Sequence, residues 1–254
     1  MKRWRWHILL FVAAYSGALL SALPASLVLH WAEPVLSRVQ QRPVLHGVDG
    51  TVWSGHAAQA VYRGVTLGEL KWELSPWALL IGRIDVDLKI NGADGYLDSE
   101  LSTGFGGRDL RLRHVSGQVP AAMLKSFAPS LPMTPAGTFT LAVDEVRFES
   151  AKLHGLDGRI VWNKGGVVSP LALEFGDLKA EFSSNEAGVT GRISDSGGPM
   201  QLSADLKLSA DGGYTISGKS AARQGASPSL ATSLSLLGQP DAQGMIPFRF
   251  TGRI

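Results

Sequence analysis

One stretch of the sequence begins with His46-Gly-Val-Asp-Gly50, continues through Thr-Val-Trp-Ser-Gly55 and ends with Leu67-Gly-Glu-Leu-Lys-Trp-Glu-Leu-Ser75. Both ends of this stretch recur downstream, and the predicted fold is built on that recurrence. The first end returns as His154-Gly-Leu-Asp-Gly158 and the second as Phe175-Gly-Asp-Leu-Lys-Ala-Glu-Phe-Ser183, at the same spacing along the chain. Two matches at one spacing predict an internal repeat of β-units. The intervening Trp53 and Trp162 are displaced by one position, as a β-bulge or a changed turn would displace them.

Period-two alternation continues beyond this stretch. From residue 84 to residue 90, isoleucine, valine or leucine alternates with aspartate or lysine, which is the pattern of a half-buried strand. Similar alternation recurs around Leu110, Phe139 and Leu202. Tight hairpins, which need residues that accept positive φ, are predicted at Asn91-Gly92, Asp94-Gly95, Asp157-Gly158 and Asp211-Gly212. We therefore expect sequential antiparallel strands.

Two short helices interrupt the predicted strands. Ser75 is suited to cap a helix that begins with Pro76 and runs to residue 81. A second helix is predicted over residues 120–128, where Met123, Leu124 and Phe127 share a face that would cover an end of the sheet. Residues 220–235, rich in serine, alanine and glycine, predict a loop before a final strand at 248–254.

The N-terminus predicts a membrane anchor. Residues 8–29 carry no charge and are long enough, at about 1.5 Å per residue, to cross a hydrocarbon core of about 30 Å. Lys2, Arg3 and Arg5 precede this run and predict that the N-terminus lies in the cytoplasm and the body outside it. The alternative is a signal peptide cleaved near Ala25, although Leu23 is bulky for a cleavage site.

These patterns together predict a mainly β protein. A single N-terminal transmembrane helix is followed by a duplicated, curved antiparallel β-sheet body with one or two short helices. We expect a cytoplasmic tip and anchor over residues 1–31, a stalk over 32–43, a first β-repeat over 44–150 and a second over 151–254, the repeats forming one continuous periplasmic body.

Composition excludes several classes of function. A net charge of +2, with lysine and arginine scattered among acidic residues, does not suit a nucleic-acid surface. The absence of cysteine removes thiol nucleophiles, thiolate metal sites and disulfides, and it leaves the compartment open. The histidines are dispersed and predict no metal site.

Two motifs resemble a nucleotide-binding site and a catalytic pair, but their sequence context does not support either. Gly213-Tyr-Thr-Ile-Ser-Gly-Lys-Ser220 has the spacing of a phosphate-binding loop, which would place Lys219 on phosphates. Such a loop needs a helix after it, whereas residues 221–228 contain Gly225 and Pro228, so we predict a strand instead. Asp85 and Asp87 could form an acid and base couple, but Lys89 continues the same solvated row. No catalytic residue, cofactor or metal is therefore predicted.

Tryptophans and glycines at repeat-related positions are the remaining candidates. Each tryptophan can bury about 150–250 Å², so we predict that they belong to the core, with a docking surface as the alternative. The structural or interaction candidates are Gly50, Trp53, Trp72, Pro76, Trp77, Gly158 and Trp162.

Two segments carry a resemblance to a known family. Gly50-Thr-Val-Trp-Ser-Gly-His-Ala57 and Leu70-Lys-Trp-Glu-Leu-Ser-Pro-Trp-Ala-Leu-Leu-Ile-Gly-Arg83 resemble the type II secretion system protein N family, GspN, of the general secretion pathway. The likeness extends over the whole chain and is weakest over residues 184–235. It implies an inner-membrane protein with a periplasmic β-body, an accessory part of the machine that exports folded proteins through an outer-membrane secretin, and it implies no catalysis.

Three functions compete at this point. The first is an interaction protein whose partners are other envelope proteins of the secretion system, in the inner-membrane platform or the secretin. The second is a lipid-binding or lipid-transfer module with an apolar β-groove, since a duplicated curved sheet resembles the bridge-like lipid carriers of the envelope. The third is an envelope hydrolase, which no set of catalytic residues in the sequence supports. A continuous apolar trough would favour the second function and a filled core the first.

Overall fold

A single antiparallel sheet dominates the computed structural model, which describes residues 15, 21–29, 43–128, 133–150, 152–169, 171–186, 188–209 and 211–253. Within that part of the chain, thirteen strands pair in chain order and every pairing is antiparallel, so the mainly β prediction is confirmed. The sheet is open, with β1 at one edge and β13 at the other. The strands are β1 Val44–Gly50, β2 Ser54–Tyr62, β3 Val65–Leu74, β4 Arg83–Asn91, β5 Tyr96–Gly104, β6 Asp109–Pro120, β7 Thr134–Glu149, β8 Lys152–Ser169, β9 Leu173–Asn185, β10 Gly188–Asp195, β11 Met200–Ser209, β12 Gly213–Ala222 and β13 Ile246–Arg253.

Short helices connect some of these strands. Helix α1, Pro76–Leu80, begins with proline as predicted, but the Ser75 side chain makes no capping hydrogen bond. A 3-10 turn, Ala121–Met123, and helix α2, Leu124–Phe127, occupy the second predicted position. Helix α3 spans Pro228–Ser235. The prediction of a loop over residues 220–235 is wrong, because Ser227 caps α3 by accepting a hydrogen bond from Leu230 N at 3.3 Å and Pro228 starts it.

The predicted anchor lies largely outside the described residues, which include only Tyr15 and residues 21–29 of the run from 8 to 29. Of the predicted stalk over residues 32–43, only Pro43 is described. No helix in the described ranges has the length and apolar character needed to cross a membrane. Residues 25–29 are helical, and Pro24 forms an isolated antiparallel bridge with Thr51 beside β1.

The register gives the sheet two chemically different faces. One row of paired residues crosses all thirteen strands and contains only apolar residues and glycine: Val48, Ala57, Leu70, Ile90, Leu97, Gly117, Leu141, Ile160, Ala180, Ile193, Ala204, Gly218 and Phe248. We call this the apolar row and its side of the sheet the apolar face. The next row points to the opposite side and is almost entirely polar: Asp49, His56, Lys71, Lys89, Asp98, Ser116, Ala142, Arg159, Glu181, Arg192, Asp205, Ser217 and Arg249. Because side chains alternate along a strand, this register holds the apolar face on one side throughout.

Helix α3 covers one part of the apolar face. Leu230 and Leu234 pack on Leu178, Met200 and Ile246, and together they form the main buried cluster of the described residues. Elsewhere on the apolar face the large side chains, such as Leu70, Ile160 and Ile193, are half-buried. The sheet is therefore a single layer covered by a helix in places.

The two similar stretches of sequence follow different strand paths. The first places its ends on β1 and β3, which run in the same direction with β2 between them, whereas the second places them on the adjacent antiparallel strands β8 and β9. The border predicted between the repeats falls in the hairpin of β7 and β8, inside the same sheet. The internal repeat stays a prediction about the sequence.

One of the predicted hairpin turns is absent. Asp157 and Gly158 lie inside β8, where the pairing with β7 shifts between Val143 and Glu145. Gly158 has φ +140°, and Asp157 Oδ1 accepts a hydrogen bond of 2.7 Å from Ser184 N. The pair therefore marks a β-bulge, which also uses glycine and aspartate.

Candidate functional site

An apolar cavity of about 450 Å³ lies between the apolar face and α2. Its floor contains Ile90, Leu97 and Leu141 of the apolar row, and its roof is formed by Met123, Leu124 and Phe127. These three roof residues are the ones predicted to share a helix face, so that prediction is confirmed. A cavity of this size and lining is large enough to hold an apolar chain, since about 150 Å³ suffices for benzene.

Helix α2 is tied down on the far side of the cavity. Arg63 Nη1 donates a hydrogen bond of 2.7 Å to Phe127 O, and the rings of Tyr62 and Phe127 stack with centroids 5.7 Å apart. Tyr62 ends β2, whereas α2 follows β6, so this contact spans several strands. The connection between β6 and β7 therefore forms a strap across the ends of β3 to β6.

A polar cluster around Asp195 holds the hairpin of β10 and β11 beside α3. Asp195 Oδ2 accepts a hydrogen bond of 2.5 Å from Arg223 Nη2, and Asp195 Oδ1 accepts one of 2.8 Å from Leu202 N. Burial alone would raise the pKa of Asp195, but the hydrogen bonds from Leu202 N, Arg223 and Gly197 N outweigh it and lower that pKa below its ordinary value. The carboxylate is therefore kept ionised at the margin of the main buried cluster.

Three of the sequence-predicted candidates meet at the β1 end of the sheet. Gly50 has φ +92°, and a Cβ there would lie 2.7 Å from Gly55 Cα, so only glycine fits. Trp53 O accepts a hydrogen bond of 2.6 Å from Leu74 N, and Trp72 Nε1 donates one of 3.2 Å to Val52 O. Both tryptophans are half-buried, which gives them a structural role at the first turn of the sheet.

Trp77 does not belong to the core. It lies in α1 with 78% of its surface exposed, and Pro76 before it is exposed too. The core prediction is wrong for Trp77 because α1 uses the small Ala78 to contact the sheet and turns its larger side chains outward.

Gly158 and Trp162 lie together on β8, far along the sheet from the other candidates. Trp162 Nε1 donates a hydrogen bond of 2.7 Å to Ala136 O, and its ring contacts Phe139 and Phe175 with centroids 5.3 and 5.9 Å away. Trp162 is half-buried and packs against the main buried cluster.

The residues that resembled a phosphate-binding loop are part of a regular strand. Lys219 and Ser220 lie on β12, and Lys219 Nζ pairs with Asp241 Oδ2 at 2.6 Å. Ser220 is buried, because its partner residues Leu202 and Ile246 belong to the apolar face. Such a strand has no backbone amides directed at a common phosphate.

The carboxylates and histidines form no reaction centre in the described part of the chain. Asp85 accepts hydrogen bonds from Ser102 Oγ at 2.6 Å and Arg83 Nη2 at 3.3 Å, whereas Asp87 is exposed. No group of three or more histidine, aspartate or glutamate side chains in the described ranges is placed to hold a metal ion.

Comparison with known proteins agrees with this picture. The family model described as "Type II secretion system (T2SS), protein N" matches residues 42–249. The chain belongs to the type II secretion system protein N family. It is 30% identical to the type II secretion system protein N of Aeromonas hydrophila over 96% of both chains, and 28% identical to that of Vibrio cholerae over the full length of both. It is also 27% identical to that of Klebsiella pneumoniae over 80% of each chain. No solved structure matches.

Membership of the protein N family confirms the resemblance seen in the sequence. The chain is thus a non-enzymatic component of the type II secretion machinery, and membership implies contacts with other proteins of that system. The match spans nearly the whole sheet, from before β1 into β13.

Sequence reasoning missed two parts of the site. Leu230 of α3 is fully buried, yet it lies in a segment that we expected to be a loop; the signal was Ser227-Pro228, a cap and first residue like Ser75-Pro76. The cavity was also missed, because the pairing of Ile90 with Leu97 and of Gly117 with Leu141 depends on register across several strands.

Proposed function

We propose that this chain is an accessory inner-membrane component of the type II secretion machinery that acts through periplasmic protein contacts in the export of folded proteins across the outer membrane. The observation that carries the proposal is that the family match, residues 42–249, almost coincides with the sheet. What the family shares is thus a sheet and its surfaces. The anchor over residues 8–29, preceded by Lys2, Arg3 and Arg5, would hold this sheet on the periplasmic side.

Strand β13 offers the surface for such a contact. It pairs with β12 on one side, and in the described ranges no strand pairs with its other side. Residues 249–253 are all exposed. An open edge presents backbone N–H and C=O groups that an added strand from another protein can satisfy. We propose the inner-membrane platform as the partner, with the secretin as the alternative.

Site-specific crosslinking in secreting cells tests this contact. A photo-crosslinking amino acid at Phe250, on the edge strand, should capture a protein of the secretion system. The matched control is Asp205, which is also exposed but lies on β11 inside the sheet. Equal capture from both positions, or unchanged export after the chain is deleted, would contradict the proposal.

Protease protection tests the segment boundaries. Protease added to spheroplasts should digest residues 44–254 and leave a fragment that contains residues 1–31. A mature protein that begins near Ala25 would instead support a cleaved signal peptide.

Lipid binding is the second candidate, and the cavity beneath α2 is the observation that favours it. The large side chains of the apolar face are only half-buried outside the part that α3 covers. Two cations lie beside the roof of the cavity: Arg63 Nη1 donates a hydrogen bond to Phe127 O, and Lys125 belongs to α2, and such cations suit an anionic headgroup. Phospholipid retained by protein purified in mild detergent should be measured by mass spectrometry. Leu141→Trp, which fills the cavity, should reduce the retained lipid, whereas Leu112→Trp on the same face outside the cavity should not. Equal retention by both variants would exclude the cavity as the site.

A further inference from the structure

Four large apolar side chains protrude together from one end of the sheet. Trp77, Leu80 and Ile81 in and after α1 are 78%, 76% and 71% exposed, and Phe105 in the turn between β5 and β6 is 64% exposed. The two connections touch, because Phe105 N donates a hydrogen bond of 3.2 Å to Gly82 O. We call these four residues the apolar tip. Apolar side chains that cluster at the surface mark an interaction site.

The apolar tip is held rigidly and carries no charge. Ala78 is buried against the sheet, and α1 ends with hydrogen bonds of 3.1 Å from Ile81 N to Ala78 O and from Gly82 N to Leu79 O. Residues 75–82 and 104–107 include neither an acidic nor a basic side chain. The outward direction of the apolar side chains is therefore built into the fold, and no charged side chain interrupts them within these two connections.

The N-terminal segment reaches the sheet at the same end. Because consecutive strands alternate in direction, the turn at residues 51–53 and the connections at 75–82 and 104–108 all lie at one end of the sheet. Val52 N donates a hydrogen bond of 3.0 Å to Leu23 O, and Leu74 N donates one of 2.6 Å to Trp53 O. The uncharged run predicted to enter the bilayer thus joins the sheet beside the connection that carries α1.

We propose that the apolar tip inserts into the interface of the phospholipid bilayer beside the anchor. Tryptophan suits the headgroup level because its ring is apolar and its N–H is polar, and leucine, isoleucine and phenylalanine suit the acyl boundary below it. The sheet then stands with this end on the membrane, and the strap with its cavity at the opposite end points into the periplasm. The inference rests on the proposed inner-membrane location.

Spin labelling of the full chain in vesicles tests the inserted tip. The chain has no cysteine, so a single substitution gives a unique label. Leu80→Cys labels the apolar tip, and Leu171→Cys labels an exposed leucine, 50% accessible, between β8 and β9 at the opposite end. In vesicles of phosphatidylethanolamine and phosphatidylglycerol, the label at residue 80 should collide several-fold more with oxygen than with a water-soluble nickel complex, and the label at residue 171 the reverse.

Two other outcomes would overturn the inference. A label at residue 80 that collides with nickel as readily as the one at residue 171 lies in water, and a label shielded from both reagents lies against protein. A third label, at Ala18→Cys inside the predicted anchor, distinguishes a failure of the apolar tip to insert from a failure of the proposed inner-membrane location. If the label at residue 18 is in the bilayer and the label at residue 80 is not, only the apolar tip fails; if neither is, the inner-membrane location fails too. An unchanged circular dichroism spectrum of Leu80→Cys, or the same result from Ile81→Cys, shows that labelling has not disturbed the fold.

Discussion

The indole Nε1 of Trp72 donates a hydrogen bond of 3.2 Å to the carbonyl oxygen of Val52, whose own N–H donates to Leu23 O at 3.0 Å. Val52 therefore links β3 of the sheet to the N-terminal segment. The indole also lies over Gly55, where a Cβ would overlap it. This contact explains why a glycine occupies position 55, directly after Val52-Trp-Ser54.

Trp72→Ala should reduce the free energy of unfolding by about 3 kcal/mol, because it removes a half-buried ring and the hydrogen bond to Val52. Trp77→Ala should change that free energy by less than about 0.5 kcal/mol, because Trp77 is exposed. Urea-induced unfolding in detergent, followed by circular dichroism, measures both. A larger loss for Trp77→Ala than for Trp72→Ala would contradict the assigned roles.

Gly158→Ala should destabilise the sheet by about 2 kcal/mol. The residue has φ +140°, and a Cβ would lie 2.5 Å from Val143 Cα. Gly104→Ala is the control, since no atom lies within 4 Å of its Cβ position and it does not have positive φ, so stability should be unchanged or higher by up to about 1 kcal/mol. Similar melting temperatures for the two variants would rule out the bulge as the reason for Gly158.

Ser220→Ala should stabilise the protein by about 1 kcal/mol. Ser220 is 1% exposed, and its Oγ has no hydrogen-bond partner among the described residues, so removal of the hydroxyl relieves a desolvation cost. Ser203→Ala, at an exposed position on the neighbouring strand, should change stability by less than about 0.5 kcal/mol. A loss of stability in Ser220→Ala would show that the hydroxyl has a partner.

Lys219→Ala should leave export and the abundance of the folded protein essentially unchanged, because it breaks only a partly exposed ion pair with Asp241. Secretion of a reporter protein and the abundance of the variant should be measured together. A folded, abundant variant that no longer supports export would restore the phosphate-loop interpretation.

Asp195→Asn should lower stability by about 2 kcal/mol at pH 7, because Arg223 and Leu202 N lose a charged acceptor. The pKa of Asp195 is lowered by folding, so its stabilising effect is present above the ordinary pKa of aspartate and is lost as the pH falls through the folded value. The difference between the wild-type protein and the variant should therefore shrink below about pH 4. A difference that stays constant from pH 7 to pH 3 would exclude this linkage.

Local chemistry was enough to predict the class of fold and the resemblance to the family. Apolar and charged residues alternate from 84 to 90 with the two-residue period of a strand, and Asp211-Gly212, where Gly212 has φ +87°, permits a hairpin, so antiparallel strands follow from the sequence. The hairpin after Asn91 also forms, although neither Asn91 nor Gly92 has positive φ. The motifs around Gly50 and Trp72 were enough to indicate the protein N family.

How those strands share a face follows from the tertiary structure alone. Leu97 and Leu141 are joined through Gly117 by the register of three strands, and Asp157-Gly158 forms a bulge or a turn according to the partner that β7 offers. Trp77 is a large apolar residue of the kind that cores contain, but it lies outside the core because Ala78 is the side chain that contacts the sheet. Register and packing join residues distant in sequence, and local periodicity carries no information about them.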